Sequence, residues 1–146
     1  MSVKSTPQGF HTINPHLYVK EAPVFIEFMK NTFGAKELVR KESPDGMVLR
    51  AEIKVGDSKI LLAEPWGQFE PTRGCFSIYV KDTDAVYKKG IEAGSISLKE
   101  PSDEFYGDRQ AGFKDRFGNI WWISTYVEDI HREQLKKIKV FQFSYN

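Results

Sequence analysis

The sequence predicts an α+β protein made of two tandem βαβββ modules that form a cupped mixed sheet, with a C-terminal helix added. Three observations carry this expectation. The first is a repeat. Residues 17–35 (LYVKEAPVFIEFMKNTFGA) and 78–94 (IYVKDTDAVYKKGIEAG) both run through an apolar residue, Tyr-Val-Lys, an acidic residue, a helical stretch and a closing glycine, Gly34 or Gly94. The second is a later echo at the same spacing: Val55-Gly56-Asp57 before an apolar run, then Phe117-Gly118-Asn119 before another. A fixed period marks a duplicated unit. The third is a change of apolar period, from two to 3.6 and back to two, within each copy.

Taken in order, residues 1–9 are polar, contain Pro7 and Gly9, and predict a loose arm. Residues 10–19 alternate as a strand, with Ile13, Leu17 and Val19 on one face and Thr12, Asn14, His16 and Tyr18 on the other. Pro15 removes a ladder bond there and suggests an edge or a bulge. Ala22-Pro23 opens a helix, because proline in the first turn loses no hydrogen bond. Val24, Phe25, Phe28, Met29 and Phe33 give it an apolar face, and Gly34 ends it. Residues 36–43 form a strand, Pro44-Asp45-Gly46 a tight turn, and 47–55 a strand with Met47, Leu49, Ala51, Ile53 and Val55 on one side. Gly56-Asp57 turns into residues 59–64. Residues 65–74 hold Pro65, Trp66, Gly67, Pro71 and Gly74 and read as a linker. The second copy predicts strand 75–81, helix 83–93, strand 95–99, a loop through Pro101, and strands near 110–115 and 120–126. Residues 103–112 are its longest expected loop. Residues 127–139 predict the C-terminal helix, with Glu128 and Asp129 at its start and lysines at its end. The expected organisation is an arm (1–9), one domain (10–130; module 1 10–64, linker 65–74, module 2 75–126) and a C-terminal helix and tail (127–146).

Composition excludes several classes of function. A chain of 146 residues with 40% hydrophobic and 14% aromatic content has enough apolar area for a core. A net charge of +1 gives no general attraction to nucleic acid or to an anionic membrane. Lys88-Lys89 and Lys136-Lys137 read as solvated helix faces. The single Cys75 allows no intrachain disulfide and points to a reducing, cytoplasmic setting. The first residues lack the apolar core of a signal peptide. No run reaches the ~18 apolar residues of a membrane helix.

Several short motifs then come together: Thr6-Pro7-x-Gly-Phe-His, Pro44-Asp45-Gly46, Ala51-Glu52 through Gly56-Asp57-Ser58, Phe105-Tyr106-Gly107-Asp108-Arg109, Asp115-x-Phe117-Gly118-Asn119 with Trp121-Trp122, and Glu128-Asp129. With the two modules they resemble the vicinal oxygen chelate superfamily. That group includes glyoxalase I, bleomycin- and fosfomycin-resistance proteins and extradiol dioxygenases. The likeness is to its PhnB-like branch and covers about residues 6–130. The resemblance implies either sequestration of a small molecule or a metal-assisted reaction, and a homodimer. It also implies a metal bound by a histidine on the first strand of each module and a carboxylate on the last. Carried over by spacing, those positions are Asn14, Cys75, Ile60 or Leu61, and Trp122, and none is a histidine or a carboxylate. Arg116 stands where the branch has proline, and Arg50 and Asn119 stand where it has histidine. Tryptophan offers only a donor, and asparagine is a poor ligand for such a metal.

The expectation is therefore a metal-free, cofactor-free cavity for a small organic or aromatic compound. The alternative is a metal-dependent lyase or dioxygenase whose ligands have moved, with His16, Glu52 and Glu64 as candidates. The residues expected to touch the ligand are Asn14, His16, Tyr18, Arg50, Glu52, Cys75, Tyr79, Tyr106, Arg109 and Trp122. For each a plainer role stands beside this one. His16 fits a hydrogen-bonded surface histidine, and Cys75 fits a small buried residue. Arg50 and Glu52 fit a pair on one strand face. Tyr106-Gly107-Asp108-Arg109 fits a structural Asp–Arg clasp, and the aromatic side chains fit a core.

Overall fold

The computed structural model describes residues 2–127 and Gln134. Module 1 consists of β1 (His16–Tyr18), α1 (Ala22–Phe33), β2 (Lys36–Glu42), β3 (Val48–Val55) and β4 (Ser58–Ala63). Module 2 repeats the order with β5 (Cys75–Tyr79), α2 (Thr83–Glu92), β6 (Ile96–Asp103), β7 (Asp108–Lys114) and β8 (Ile120–Tyr126). The two sheets have matching orders, β1-β4-β3-β2 and β5-β8-β7-β6, each with one parallel pair at the first strand and antiparallel pairs elsewhere. The expected helix at 127–139 falls outside the described residues apart from Val127 and Gln134.

Pro23 lies in the first turn of α1, and Gly34 closes the helix in the left-handed conformation. Asp82 caps α2, its carboxylate accepting from the Ala85 amide at 3.1 Å. At α1 the cap comes from elsewhere. Glu64, just past β4, accepts from the Ala22 amide (3.1 Å) and the Val48 amide (2.7 Å), tying helix start to strand start. α1 is the central element: Phe25, Ile26, Phe28 and Met29 are buried, against sheet 1 on one side and module 2 on the other. Its rings meet Phe117, Phe113 and Trp121, with Phe33 and Trp121 4.7 Å apart. α2 approaches β7 at Gly90, where a methyl group would overlap the Phe113 ring.

The strands differ from expectation in four places. Strand β1 is three residues long rather than ten, because Asn14 folds back on His11 and Pro15 offers no donor; Ile13 is consequently exposed. In β3, Lys41 pairs with Arg50 but Glu42 with Val48, so Leu49 is an extra residue. Such a bulge inverts the face of everything beyond it: Val48 is buried and Leu49 exposed, the reverse of simple alternation. In β6 the strand continues through Pro101 to Asp103, with two register shifts. Proline is tolerated there because β6 is an edge. Finally, the long loop expected at 103–112 shrinks to a tight turn. The Glu104 amide donates to the Asp108 carbonyl, and Gly107 takes φ 95°. The duplication extends to the irregularities: Leu38 and Leu98 are the extra residues of matching bulges in β2 and β6.

Candidate functional site

One apolar core is shared by both sheets and both helices, and among the described residues no helix or sheet covers the reverse side of either sheet. These two open faces carry most of the residues singled out above.

On sheet 2 the register sets Tyr79, Ser124, Gln110 and Ser102 side by side across all four strands. The next row is Ser77, Trp122, Gly112 and Lys99. The Trp122 ring lies across Gly112, where any side chain would overlap it. The indole thus forms a flat shelf on the sheet. Beside it runs a polar chain: Lys99 donates to Gln110 (3.3 Å), Gln110 donates to Ser124 (3.4 Å), and Lys99 also pairs with Glu104. The Tyr79 hydroxyl donates to the buried Asp108 carboxylate at 3.0 Å. That bond, with some burial, holds the Tyr79 phenol above its ordinary pKa. Burial, reinforced by the Asp108 charge, does the same for Tyr106. Cys75 opens β5 and is an exposed free thiol, not the small buried residue of the plainer expectation.

On sheet 1, His16 lies in a row with Leu61, Glu52 and Val39. The His16 and Tyr18 rings are 5.1 Å apart, Tyr18 and Phe69 stack at 5.1 Å, and Phe69 meets Trp66 at 5.0 Å. Two of these four rings come from the linker. It is held against β1 by Thr72, whose amide donates to the Tyr18 carbonyl and whose hydroxyl accepts from the Tyr18 amide. Glu52 is bound by Lys59 (3.2 Å) and Arg50 (3.4 Å), and the Lys59 ammonium sits 4.0 Å above the Phe10 ring, so the N-terminal arm crosses this face.

Two expected ligand contacts lie on neither face. Asn14 precedes β1 and clasps the His11 backbone at 2.9 and 2.8 Å. Arg109 alternates with Asp108 and points to the helix side, where it donates to both Asp84 oxygens (2.9 and 3.1 Å) and to Asp103 (3.2 Å). These bonds raise its already high pKa, those to Asp84 most. The clasp anticipated in this motif exists, but its carboxylates come from α2 and β6 rather than from Asp108. Sequence reasoning missed Phe69, Trp66, Lys59 and Gln110. The linker's two aromatics were the available signal.

Among the described residues, no three histidine, cysteine or carboxylate side chains gather as metal ligands. The donors that a displaced site would need are already engaged. Glu52 holds Lys59 and Arg50, and Glu64 holds two backbone amides. The donor set does not fit the metal that the resemblance implies.

The sequence profile of the Glyoxalase/Bleomycin resistance protein/Dioxygenase superfamily matches residues 9–123. The chain belongs to this superfamily. An uncharacterised protein of Mycobacterium bovis is 26% identical over 135 residues, covering 85% of this chain and 89% of the relative. Among solved structures, TnmS3, an antibiotic-binding protein from Streptomyces sp. CB03234, superposes with TM-score 0.62 at 20% identity, covering 80% of this chain and 96% of that one. A PhnB protein from Bacillus cereus gives TM-score 0.62 at 13% identity, covering 79% and 99%. At these identities the structural likeness speaks for the fold. Among the described residues no helix is long and apolar enough to cross a membrane.

Proposed function

We propose that this superfamily member is a metal-free binding protein for a small, flat, polar organic molecule. The Trp122 shelf carries the reading: an indole laid over Gly112, beside hydroxyl and amide groups, offers stacking with hydrogen bonds at its edge. On sheet 1 the His16–Tyr18–Phe69–Trp66 rings offer a second aromatic wall, and Arg50 and Glu52 a polar rim. TnmS3, described as antibiotic-binding, has the same fold and supports looking first among polar aromatic antibiotics. The polar contacts named above for each open face, among the described residues, stay within its own module, the arm and the linker. A cavity with two walls therefore takes sheet 1 of one copy and sheet 2 of another, in a cytoplasmic homodimer.

The test is tryptophan fluorescence quenching across a panel of polar aromatic antibiotics, with light scattering and metal analysis on the same preparation. The expected result is a dimer of about twice the 16.8 kDa chain, well below one equivalent of bound metal, and a saturable ligand. Its affinity should fall about 5- to 150-fold in Trp122→Ala, since losing an aromatic stacking contact costs on the order of 1–3 kcal/mol. A monomer at tens of micromolar, stoichiometric metal, or unchanged binding by Trp122→Ala would each overturn a named part of this reading.

A further inference from the structure

A second site lies at the junction of the modules, bordered on one side by Tyr18 at the end of the sheet 1 face. A cleft of roughly 320 Å³ opens between the turn leading into α1 and two segments of module 2's surroundings, the linker end and the β7–β8 turn. Its lining includes Lys20, Arg73, Arg116, Pro71 and Phe117, with Glu21 as the one carboxylate. Three cations against one anion leave it with formal charge +2.

The pairing of arginines across the molecule makes this cleft distinctive. Five of them, Arg40, Arg50, Arg73, Arg109 and Arg116, are among the described residues. Arg40, Arg50 and Arg109 are each bridged to carboxylates. The two that are not, Arg73 and Arg116, both line this cleft. A guanidinium without a carboxylate partner keeps its charge unbalanced, and its planar fork matches phosphate oxygens.

The walls are also fixed in advance. The stem of Arg73 lies against Gly118, and Arg116 stacks on Phe117 with its guanidinium carbon 5.5 Å from the ring centre. The Phe117 amide donates to the buried Asp115 carboxylate at 2.9 Å. The Gly74 amide donates to the fully buried Asn119 side chain at 2.7 Å, binding the linker end to the β7–β8 turn. On the opposite wall Glu21 holds φ 54°, the only non-glycine among the described residues with positive φ. Strain of this kind concentrates at binding sites.

We propose that this cleft binds a small phosphate monoester. Arg73 and Arg116 take the phosphate oxygens, Lys20 adds charge at the rim, and Phe117 and Pro71 receive the apolar part. Calorimetric titration with phenyl phosphate and with inorganic phosphate, at low ionic strength, tests this. Phenyl phosphate should bind saturably at one per chain, and inorganic phosphate about tenfold more weakly, because it leaves Phe117 uncovered. The pair R73Q/R116Q should bind phenyl phosphate about 100-fold more weakly. The pair R73K/R116K, which keeps the charge but loses the fork, should lie between. The pair K88Q/K89Q on α2 removes the same charge elsewhere and should bind as the parent does. All variants should retain the parent's circular dichroism. The proposal is overturned if the parent shows no saturable binding of either probe, if R73Q/R116Q binds as the parent does, or if K88Q/K89Q weakens binding equally. Equal affinities for the two probes would remove the organic part of the ligand from the site.

Discussion

Asp115 is the residue whose removal should do the most damage for its size. It is almost wholly buried and accepts four hydrogen bonds: from the Phe117 and Asn119 amides (both 2.9 Å), the Asn119 side-chain amide (3.2 Å) and the Trp121 indole (2.9 Å). Asn119 and Trp121 are themselves buried, so alanine at 115 leaves donors that water does not reach. Each orphaned donor costs about 1–3 kcal/mol. Counting the Trp121 indole and the two Asn119 donors, Asp115→Ala should lose about 3–9 kcal/mol. That is a large part of the roughly 5–15 kcal/mol that holds a domain folded. Urea unfolding followed by tryptophan fluorescence and circular dichroism measures the loss. A double-mutant cycle isolates one bond of the four. In a Trp121→Phe background the indole donor no longer exists, so the further cost of Asp115→Ala should shrink by about 1–3 kcal/mol. A loss under about 1 kcal/mol for Asp115→Ala, or no coupling to Trp121, would refute the account of this network.

Three further outcomes are expected. Gly90→Ala should gain about 1 kcal/mol of helix propensity yet lose about 1–3 kcal/mol to overlap with Phe113, a net destabilisation in urea melts that Phe113→Leu should relieve. In an alkaline titration followed by phenolate absorbance, Tyr79 and Tyr106 should ionise later than the ordinary tyrosine near about pH 10. Because their folded pKa values are raised, the stability they contribute is whole below that pH and disappears as the pH climbs through the folded values. Tyr79→Phe should remove one late-ionising group, and Asp108→Asn should bring Tyr79 back toward ordinary behaviour. Arg109→Ala should lower the melting temperature, since the clasp joins α2, β6 and β7, while ligand affinity measured on the folded protein stays as in the parent.

The helices and the turns were legible in the sequence because their signals are local. Pro23, Gly34, Asp82 and the Gly46, Gly56 and Gly118 turns each act within a few residues of themselves. What was not legible depends on partners. A strand's two faces follow from alternation only while its register is unbroken. One extra residue at Leu49 exchanged the places of Val48 and Leu49. Read as a loop, residues 103–112 put Arg109 in one group with Trp122. Once Asp108 and Arg109 belong to β7, alternation sends them to opposite faces, Asp108 to Tyr79 and Arg109 to Asp84. The Trp122 shelf could not be read at all, since it needs the knowledge that Gly112 is its neighbour on the adjacent strand.

The two helices occupy equivalent places in the repeat but have diverged in burial, and this difference arranges the rest. α2 buries only Thr83 and Gly90 fully and keeps a polar outer side. α1 buries Ala22, Phe25, Ile26, Phe28, Met29 and Thr32, which form one broad apolar face. A face this broad is wider than sheet 1 alone covers, and module 2 supplies the rest through Phe113, Phe117 and Trp121. That docking commits the apolar side of both sheets to a single interior. It leaves the tyrosine, tryptophan and hydroxyl rows without a covering layer among the described residues. The extra apolar residues of the first helix thus decide that each chain presents two separate half-walls.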